Sequence, residues 1–162
     1  MMHTVTINNW IRLVLVMVLW PACRKETTVE QLIKDDMLAA VNNLRQAGCT
    51  CGDTWMPPVK PLTWNDTLAT AALTHARDMD AHHYFNHISP TGTSPIQRAI
   101  VLGYTGNYVT ENIAKGYTSI EPLMDAWQKS EDHCKAMMDS LQTEMGAANA
   151  NTYWVQEFGC KR

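Results

Sequence analysis

Residues 144–159 read EMGAANANTYWVQEFG. Two short runs, EMGAA and TYWVQEFG, lie on either side of Asn149-Ala150-Asn151. Two such runs separated by a short asparagine-containing turn are typical of a β-hairpin. The stretch therefore predicts a hairpin in the last part of this sequence.

Helical patterns precede the hairpin. Residues 28–47 repeat apolar side chains at helical spacing, and Gly48 follows them, which predicts an amphipathic helix that ends at this glycine. Further helices are predicted near Asn65 or Asp66, at Ser94-Pro95, at a capping-box-like segment 118–121, and over residues 130–139. Helices followed by a hairpin predict an α+β domain whose helices pack on a small sheet.

Composition limits the classes of function. A chain of 162 residues is long enough for one domain with one sizeable core and too short for two comfortable ones. Its apolar fraction of 46% and charged fraction of 18% are ordinary for a globular protein. The net charge is −3, and no Lys/Arg stripe interleaved with aromatic residues is present, so we expect no nucleic-acid partner.

Residues 10–20, WIRLVLVMVLW, resemble the apolar core of a secretory leader. They are too few for the ~20 residues that span a bilayer. Ala22-Cys23 after the run resembles the lipobox of bacterial lipoproteins, although Trp20-Pro21 stands where a leucine and a small residue are usual. This resemblance implies a leader over 1–22, a tether over 23–28 beginning at an acylated Cys23 that anchors the protein to a membrane, and a folded domain over 29–162. An ordinary leader with a chance cysteine, and a cytosolic chain with an apolar start, are the alternatives.

Four other cysteines remain after Cys23: Cys49, Cys51, Cys134 and Cys160. Export to an oxidising compartment favours their pairing. A bridge between Cys49 and Cys51 would be strained, so we expect each of them to pair with one of the two later cysteines. A Cys-X-Cys metal clip is the alternative. Residues 49–60 carry a glycine, two adjacent prolines and no period, which predicts a surface loop stapled by these bridges.

Histidines are concentrated at the end of the second predicted helix. His75 lies on its apolar stripe and is expected to be a core histidine whose ring nitrogens are satisfied by neighbours. His82 and His83 fall at the helix end, where they are expected to face solvent. Ser-Pro and Thr-Gly follow His87 and predict a turn, which leaves His87 on a loop as the functional candidate of the group.

Several motifs taken together, in this order, resemble the bacterial form of the CAP superfamily of cysteine-rich secretory, antigen 5 and pathogenesis-related proteins. The motifs are Leu62-Thr63-Trp64-Asn65, His75, His87-Ile88-Ser89-Pro90, Pro95 with Arg98, Gly103-Tyr104, Glu111-Asn112-Ile113-Ala114 with Gly116, Trp127 with Ser130 and His133, and Tyr153-Trp154-Val155-Gln156 with Phe158-Gly159. The resemblance implies a three-layer α-β-α sandwich with a small antiparallel sheet and a shallow cleft.

The resemblance also implies the cleft residues. His87 and Glu111 match two of the family's cleft positions, whereas Tyr153 and Ser130 stand where eukaryotic members carry a second histidine and a second glutamate. The bacterial branch instead places a histidine at His133. We therefore take His87, Glu111 and His133 as candidate catalytic residues, and His87 and His133 as candidate metal ligands.

Two classes of function follow from these residues. The first is a non-enzymatic binding module of the cell envelope, either lipid-anchored or secreted, with a lipid, sterol-like molecule or cell-wall fragment as its ligand. The second is a hydrolase in which His87, Glu111 and His133 hold Zn²⁺ or act directly as acid and base. A purely structural hydrogen-bond cluster is a third interpretation of the same residues. The oligomeric state is not predicted by the sequence.

Overall fold

The computed structural model describes residues 28–160, which fold into three layers. Its helices are α1 (Val29–Ala47), α2 (Asp66–His82), α3 (Pro95–Val101), α4 (Ile120–Lys129) and α5 (Glu131–Met138). Its strands are β1 (Cys49–Cys51), β2 (Thr54–Met56), β3 (Thr63–Trp64), β4 (Tyr108–Lys115), β5 (Glu144–Ala150) and β6 (Tyr153–Cys160). The predicted α+β sandwich is confirmed.

The predicted C-terminal hairpin forms the centre of the sheet. Strands β5 and β6 pair antiparallel up to Ala150 opposite Tyr153, and Asn151 turns the chain in the left-handed region with φ of 52°. The strand order is β3-β5-β6-β4, in which β4 pairs antiparallel with β6 and the two-residue β3 joins β5 in parallel. Strand β4 therefore lies at one edge of the sheet.

Alternation along β6 gives the sheet two buried faces. Trp154 and Phe158 pack with α1, α4 and α5, whereas Tyr153 and Val155 pack beneath α2. The side chains of Met37 and Val41 in α1 are fully buried in the first of these cores. Both faces of the sheet are thus covered by helices. Side chains of the edge strand β4 contact both helical layers.

Helix α1 agrees with its prediction at both ends. The Thr28 hydroxyl oxygen accepts a hydrogen bond from the backbone N–H of Gln31, which caps the first turn. Gly48 ends the helix with φ of 72°, and its N–H donates to the carbonyl of Leu44.

Two segments differ from the sequence prediction. The expected loop at 49–60 contains a short hairpin, because β1 and β2 pair antiparallel from Cys49 opposite Met56 to Cys51 opposite Thr54. Strand β4 was not predicted from periodicity. Three successive residues, from Asn112 to Ala114, are buried in it, because its two sides meet different cores, so the alternation that marks a half-exposed strand is missing.

The prediction of two long-range disulfides is wrong for one of them. Cys51 and Cys134 are bonded, whereas Cys49 and Cys160 are free thiols. Cys160 ends β6 opposite Tyr108, while Cys49 packs in a separate cluster with Cys51, Cys134 and Met138. The two free thiols therefore belong to different parts of the fold.

The predicted leader and the predicted lipid-modified Cys23 lie outside the described residues. Between residues 28 and 160, no helix combines the length and the apolar character that crossing a membrane requires.

Candidate functional site

Glu111 stands at the centre of the site. It lies on the edge strand β4, and its side chain is only 1% exposed. Its Oε1 accepts a hydrogen bond from His87 Nδ1 at 2.8 Å, and its Oε2 accepts one from an Arg98 guanidinium nitrogen at 2.5 Å. Both carboxylate oxygens are therefore engaged by groups of the protein itself.

Arg98 holds the loop that carries His87. Helix α3 begins at a capping box between Ser94 and Gln97, which fixes Arg98 in its first turns. Its second terminal nitrogen donates to the backbone carbonyls of His87 and Thr93, each at 3.1 Å. One buried guanidinium thus ties both ends of the loop to the carboxylate on β4.

The loop itself is built from local hydrogen bonds. His83 ends α2 in the left-handed conformation, with φ of 55°. The side chain of Asn86 accepts from the backbone N–H of Ile88, and Gly92 donates to Ser89 to close a turn. His87 projects from this loop with its side chain 49% exposed, and its Nε2 makes no hydrogen bond to any residue between 28 and 160.

His75 lies under the loop and is fully buried. Its Nε2 donates to the carbonyl of Asn86 at 2.9 Å and lies 3.9 Å from Glu111 Oε1, while Tyr84 Oη lies 3.4 Å from its Nδ1. The burial of His75 and its bond to Asn86 agree with the expected core histidine, but the Tyr84 hydroxyl donates its proton to Asp78, so Nδ1 has only this longer contact. Burial lowers the pKa of His75, and the charge of Glu111 opposes this effect without reversing it. The proximity of His75 to Glu111 was not predicted from the sequence.

His133 approaches from the other helical layer. It lies on α5, and its ring centroid is 6.4 Å from that of Trp127 in α4. Burial lowers the pKa of His133, and the charge of His87 lowers it further. A positive charge on His87 thus disfavours a positive charge on His133. The hydrogen bonds of the Glu111 carboxylate go to His87 and Arg98.

Glu157 is a further acidic residue of the site that sequence reasoning missed. It is fully buried on β6 directly opposite Glu111, and its Oε1 lies 3.9 Å from Arg98 Nε. Neither of its oxygens has a hydrogen-bond partner among the described residues. Burial, and then the charge of Glu111, raise the pKa of Glu157 well above its ordinary value. The signal in the sequence was an acidic residue two positions after the apolar Val155, which places both side chains on the same face of a strand.

Replacing His75 by Gln is expected to reduce the acid sensitivity of the fold. A histidine whose pKa is lowered by folding contributes stability above its unfolded pKa, near 6.5, and this contribution is lost as pH falls through the folded pKa. The free energy of unfolding of the wild type should therefore fall between pH 7.5 and pH 5 more steeply than that of H75Q, by less than ~1.4 kcal/mol per pH unit. Urea unfolding at both pH values measures this, with the exposed His82→Gln as control. Equal slopes for wild type and H75Q would contradict it.

A metal site at His87 and His133 stays a prediction. Among residues 28–160, the ligand atoms of Cys49, Cys51 and Cys134 lie within 4.8 Å of one another, and no other set of three or more His, Cys, Asp or Glu side chains meets this spacing. Tyr153 and Ser130 are the residues that, by the family resemblance, stand where eukaryotic members carry a second histidine and a second glutamate. Tyr153 is buried beneath the ammonium of Lys115, and Ser130 precedes the first turn of α5.

Known proteins share this fold and part of this sequence. The chain is 34% identical over 102 residues to the protein YkwD of Bacillus subtilis strain 168, which covers 62% of this chain and 40% of that protein. An extracellular SCP-domain protein of Bacillus anthracis has a TM-score of 0.67 at 22% identity, over 82% of this chain and 43% of that one. An outer surface protein of Borrelia burgdorferi has a TM-score of 0.68 at 22% identity, over 80% of this chain and 96% of that one.

The solved structures establish the fold of this chain, and a match to a family model establishes which family it belongs to. The model of the CAP family, described as the cysteine-rich secretory protein family, matches residues 38–158, which contain the His87 loop, α3, β4, α5 and the central hairpin. This chain therefore belongs to the CAP family.

Proposed function

We propose that this CAP domain is an exported, non-enzymatic binding module that takes an amphiphilic ligand, such as a fatty acid, at the His87 loop. The observation that carries the proposal is the engagement of Glu111. Its side chain is 1% exposed, and both of its oxygens are occupied by His87 and Arg98. A carboxylate held in this way orients its histidine, and it offers no free oxygen to a metal ion or a substrate.

The surroundings of His87 support a ligand with an apolar part. Phe85 and Ile88, on either side of His87 in the loop, are 48% and 44% exposed. Ile100 and Val101 of α3 are also exposed, and Arg98 joins that helix to the loop. One polar imidazole among exposed apolar side chains suits a molecule with an apolar chain and a single polar head.

The location at the cell envelope is part of this proposal. Leader-like residues 10–20 support export, and related domains occur in an extracellular protein of Bacillus anthracis and an outer surface protein of Borrelia burgdorferi. Acylation of Cys23 would hold the domain at a membrane, where a lipid ligand is within reach.

Replacing His87 by Ala should weaken the binding of oleate, used as the probe, by at least about 10-fold. In a complex in which both ring nitrogens of His87 carry a proton, Nδ1 donates to Glu111 and Nε2 donates to the carboxylate of oleate. Loss of such a hydrogen bond to a charged head group costs about 1.5 to 3 kcal/mol, and 1.4 kcal/mol is a factor of ten in affinity. Isothermal titration calorimetry on the purified protein measures the change. His82→Ala is the matched control, because that side chain is also exposed but lies at the end of α2.

The same preparation separates binding from catalysis. Wild type that binds oleate and does not hydrolyse a fatty-acyl ester, with or without added Zn²⁺, supports the proposal. Zinc-stimulated ester hydrolysis that disappears in both His87→Ala and His133→Ala would instead establish the metallohydrolase. Oleate binding that is the same in wild type and His87→Ala would contradict the proposed site.

A further inference from the structure

Three cysteine sulfurs meet in the interior, away from the His87 loop. The β1–β2 hairpin contributes Cys49 and Cys51, and α5 contributes Cys134. Cys49 Sγ lies 3.7 Å from the sulfur of Cys51 and 3.6 Å from that of Cys134, while the latter two are bonded to each other. All three residues are buried. The disulfide thus lies against a third thiol that a structural bridge does not need.

The spacing of the sulfurs fits a single metal ion. Sulfur ligands about 2.3 Å from a common ion lie about 3.8 to 4.0 Å from one another in tetrahedral or trigonal geometry. The two contacts of Cys49 are close to this length. After reduction of the Cys51–Cys134 bond, its two sulfurs would separate to a similar distance, because two unbonded sulfur atoms cannot stay as close together as bonded ones.

Apolar and thioether side chains pack around the three cysteines. Met56 and Met138 pack against the three cysteines together with Leu44 and Val59. Thiolates and thioethers select soft ions, above all Cu(I) and Zn(II). A structural zinc site needs a fourth strong ligand, and within residues 28–160 no His, Asp or Glu ligand atom joins the three sulfurs within 4.8 Å. Three sulfur ligands without a fourth strong ligand therefore favour Cu(I).

We propose that the reduced protein binds one Cu(I) ion through Cys49, Cys51 and Cys134, and that the disulfide closes this site. Opening needs a dithiol reductant, which gives two electrons and two protons to the Cys51–Cys134 bond and itself becomes a disulfide. Two thiols result, and with Cys49 they make three. Cu(I) then replaces the three thiol protons, which leave to solvent, and no further electron is transferred.

The test is a Cu(I) competition experiment with the purified protein. Protein reduced by dithiothreitol, freed of the reductant and kept anaerobic, is titrated against the Cu(I) complex of bicinchoninate. We expect one ion per reduced chain and none per oxidised chain. Cys49→Ser leaves the Cys51–Cys134 bridge available for folding, and after reduction it should bind Cu(I) more than about 100-fold more weakly, since even changes beyond the ligands cost about 10- to 100-fold.

Cys160→Ser is the matched control, because Cys160 is a free thiol outside the cluster. It should bind Cu(I) as the wild type does. Equal affinity of Cys49→Ser and wild type, loss of binding in Cys160→Ser, or equal binding by oxidised protein would overturn the proposal. The proposal would also be overturned if reduced wild type bound one Zn(II) but no Cu(I). The same holds if reduction abolished the circular dichroism signal of the folded protein and neither ion bound.

Discussion

Replacing Gly146 by Ala is expected to cost at least about 4 kcal/mol of the free energy of unfolding, at the upper end of single substitutions. A Cβ atom at this position would lie 2.1 Å from the backbone nitrogen of Ala69, 2.5 Å from the carbonyl carbon of Leu68 and 2.7 Å from the Cα of Ala69. These are backbone atoms of α2, so no side-chain rotation relieves the overlap. The helix would have to move away from the sheet and expose part of the core beneath it.

Gly92→Ala is the control for this prediction. A Cβ at Gly92 meets nothing within 4 Å, but its φ is +85°, so the change carries only the conformational cost of about 1 to 2 kcal/mol. Urea unfolding of both variants separates the effect of space from that of backbone conformation. If Gly146→Ala loses no more stability than Gly92→Ala, the close packing of α2 on β5 is not what this glycine provides.

The sequence predicted the elements better than their contacts. Hairpin β5–β6 and helix α1 follow from local signals, namely a turn between two short runs, and apolar periodicity ended by Gly48. The requirement for glycine at position 146 does not follow from such signals. It arises where α2 meets the sheet, and the two segments are separated in sequence by more than 60 residues.

Some residues of the candidate site were likewise predicted from the sequence, and others are shown only by the structure. His87 and Glu111 were predicted from the family resemblance, and the structure joins them by a 2.8 Å hydrogen bond. Glu157 was missed, because only the strand register shows that it faces Glu111 across β4 and β6. The free thiol at Cys49 was missed for a similar reason. Counting four cysteines favours two bridges, but only the packing of the hairpin on α5 puts three sulfurs together and leaves Cys160 apart.

Replacing Arg98 by Met is expected to cost about 3 to 5 kcal/mol, the usual penalty for leaving a buried charge without its partner. Arg98 is 7% exposed, and its guanidinium donates to Glu111 Oε2 and to the backbone carbonyls of His87 and Thr93. The methionine fills similar space but donates no hydrogen bond. We therefore expect R98M to unfold at a lower urea concentration than the wild type. We also expect its amide hydrogen exchange to increase, relative to the wild type, more in the loop 84–94 than in the central hairpin.

A double-mutant cycle with Glu111→Gln tests the cause of that loss. If the cost comes from the uncompensated carboxylate, removing its charge should restore part of the stability, and R98M/E111Q should be more stable than the sum of the two single changes predicts, by about 0.5 to 3 kcal/mol. Full restoration is not expected, because the carbonyls of His87 and Thr93 still lack their donor. Strict additivity would show that Arg98 acts through the loop carbonyls alone. In that case Glu111 is not held by this ion pair, and its engagement could no longer support a binding role over a catalytic one.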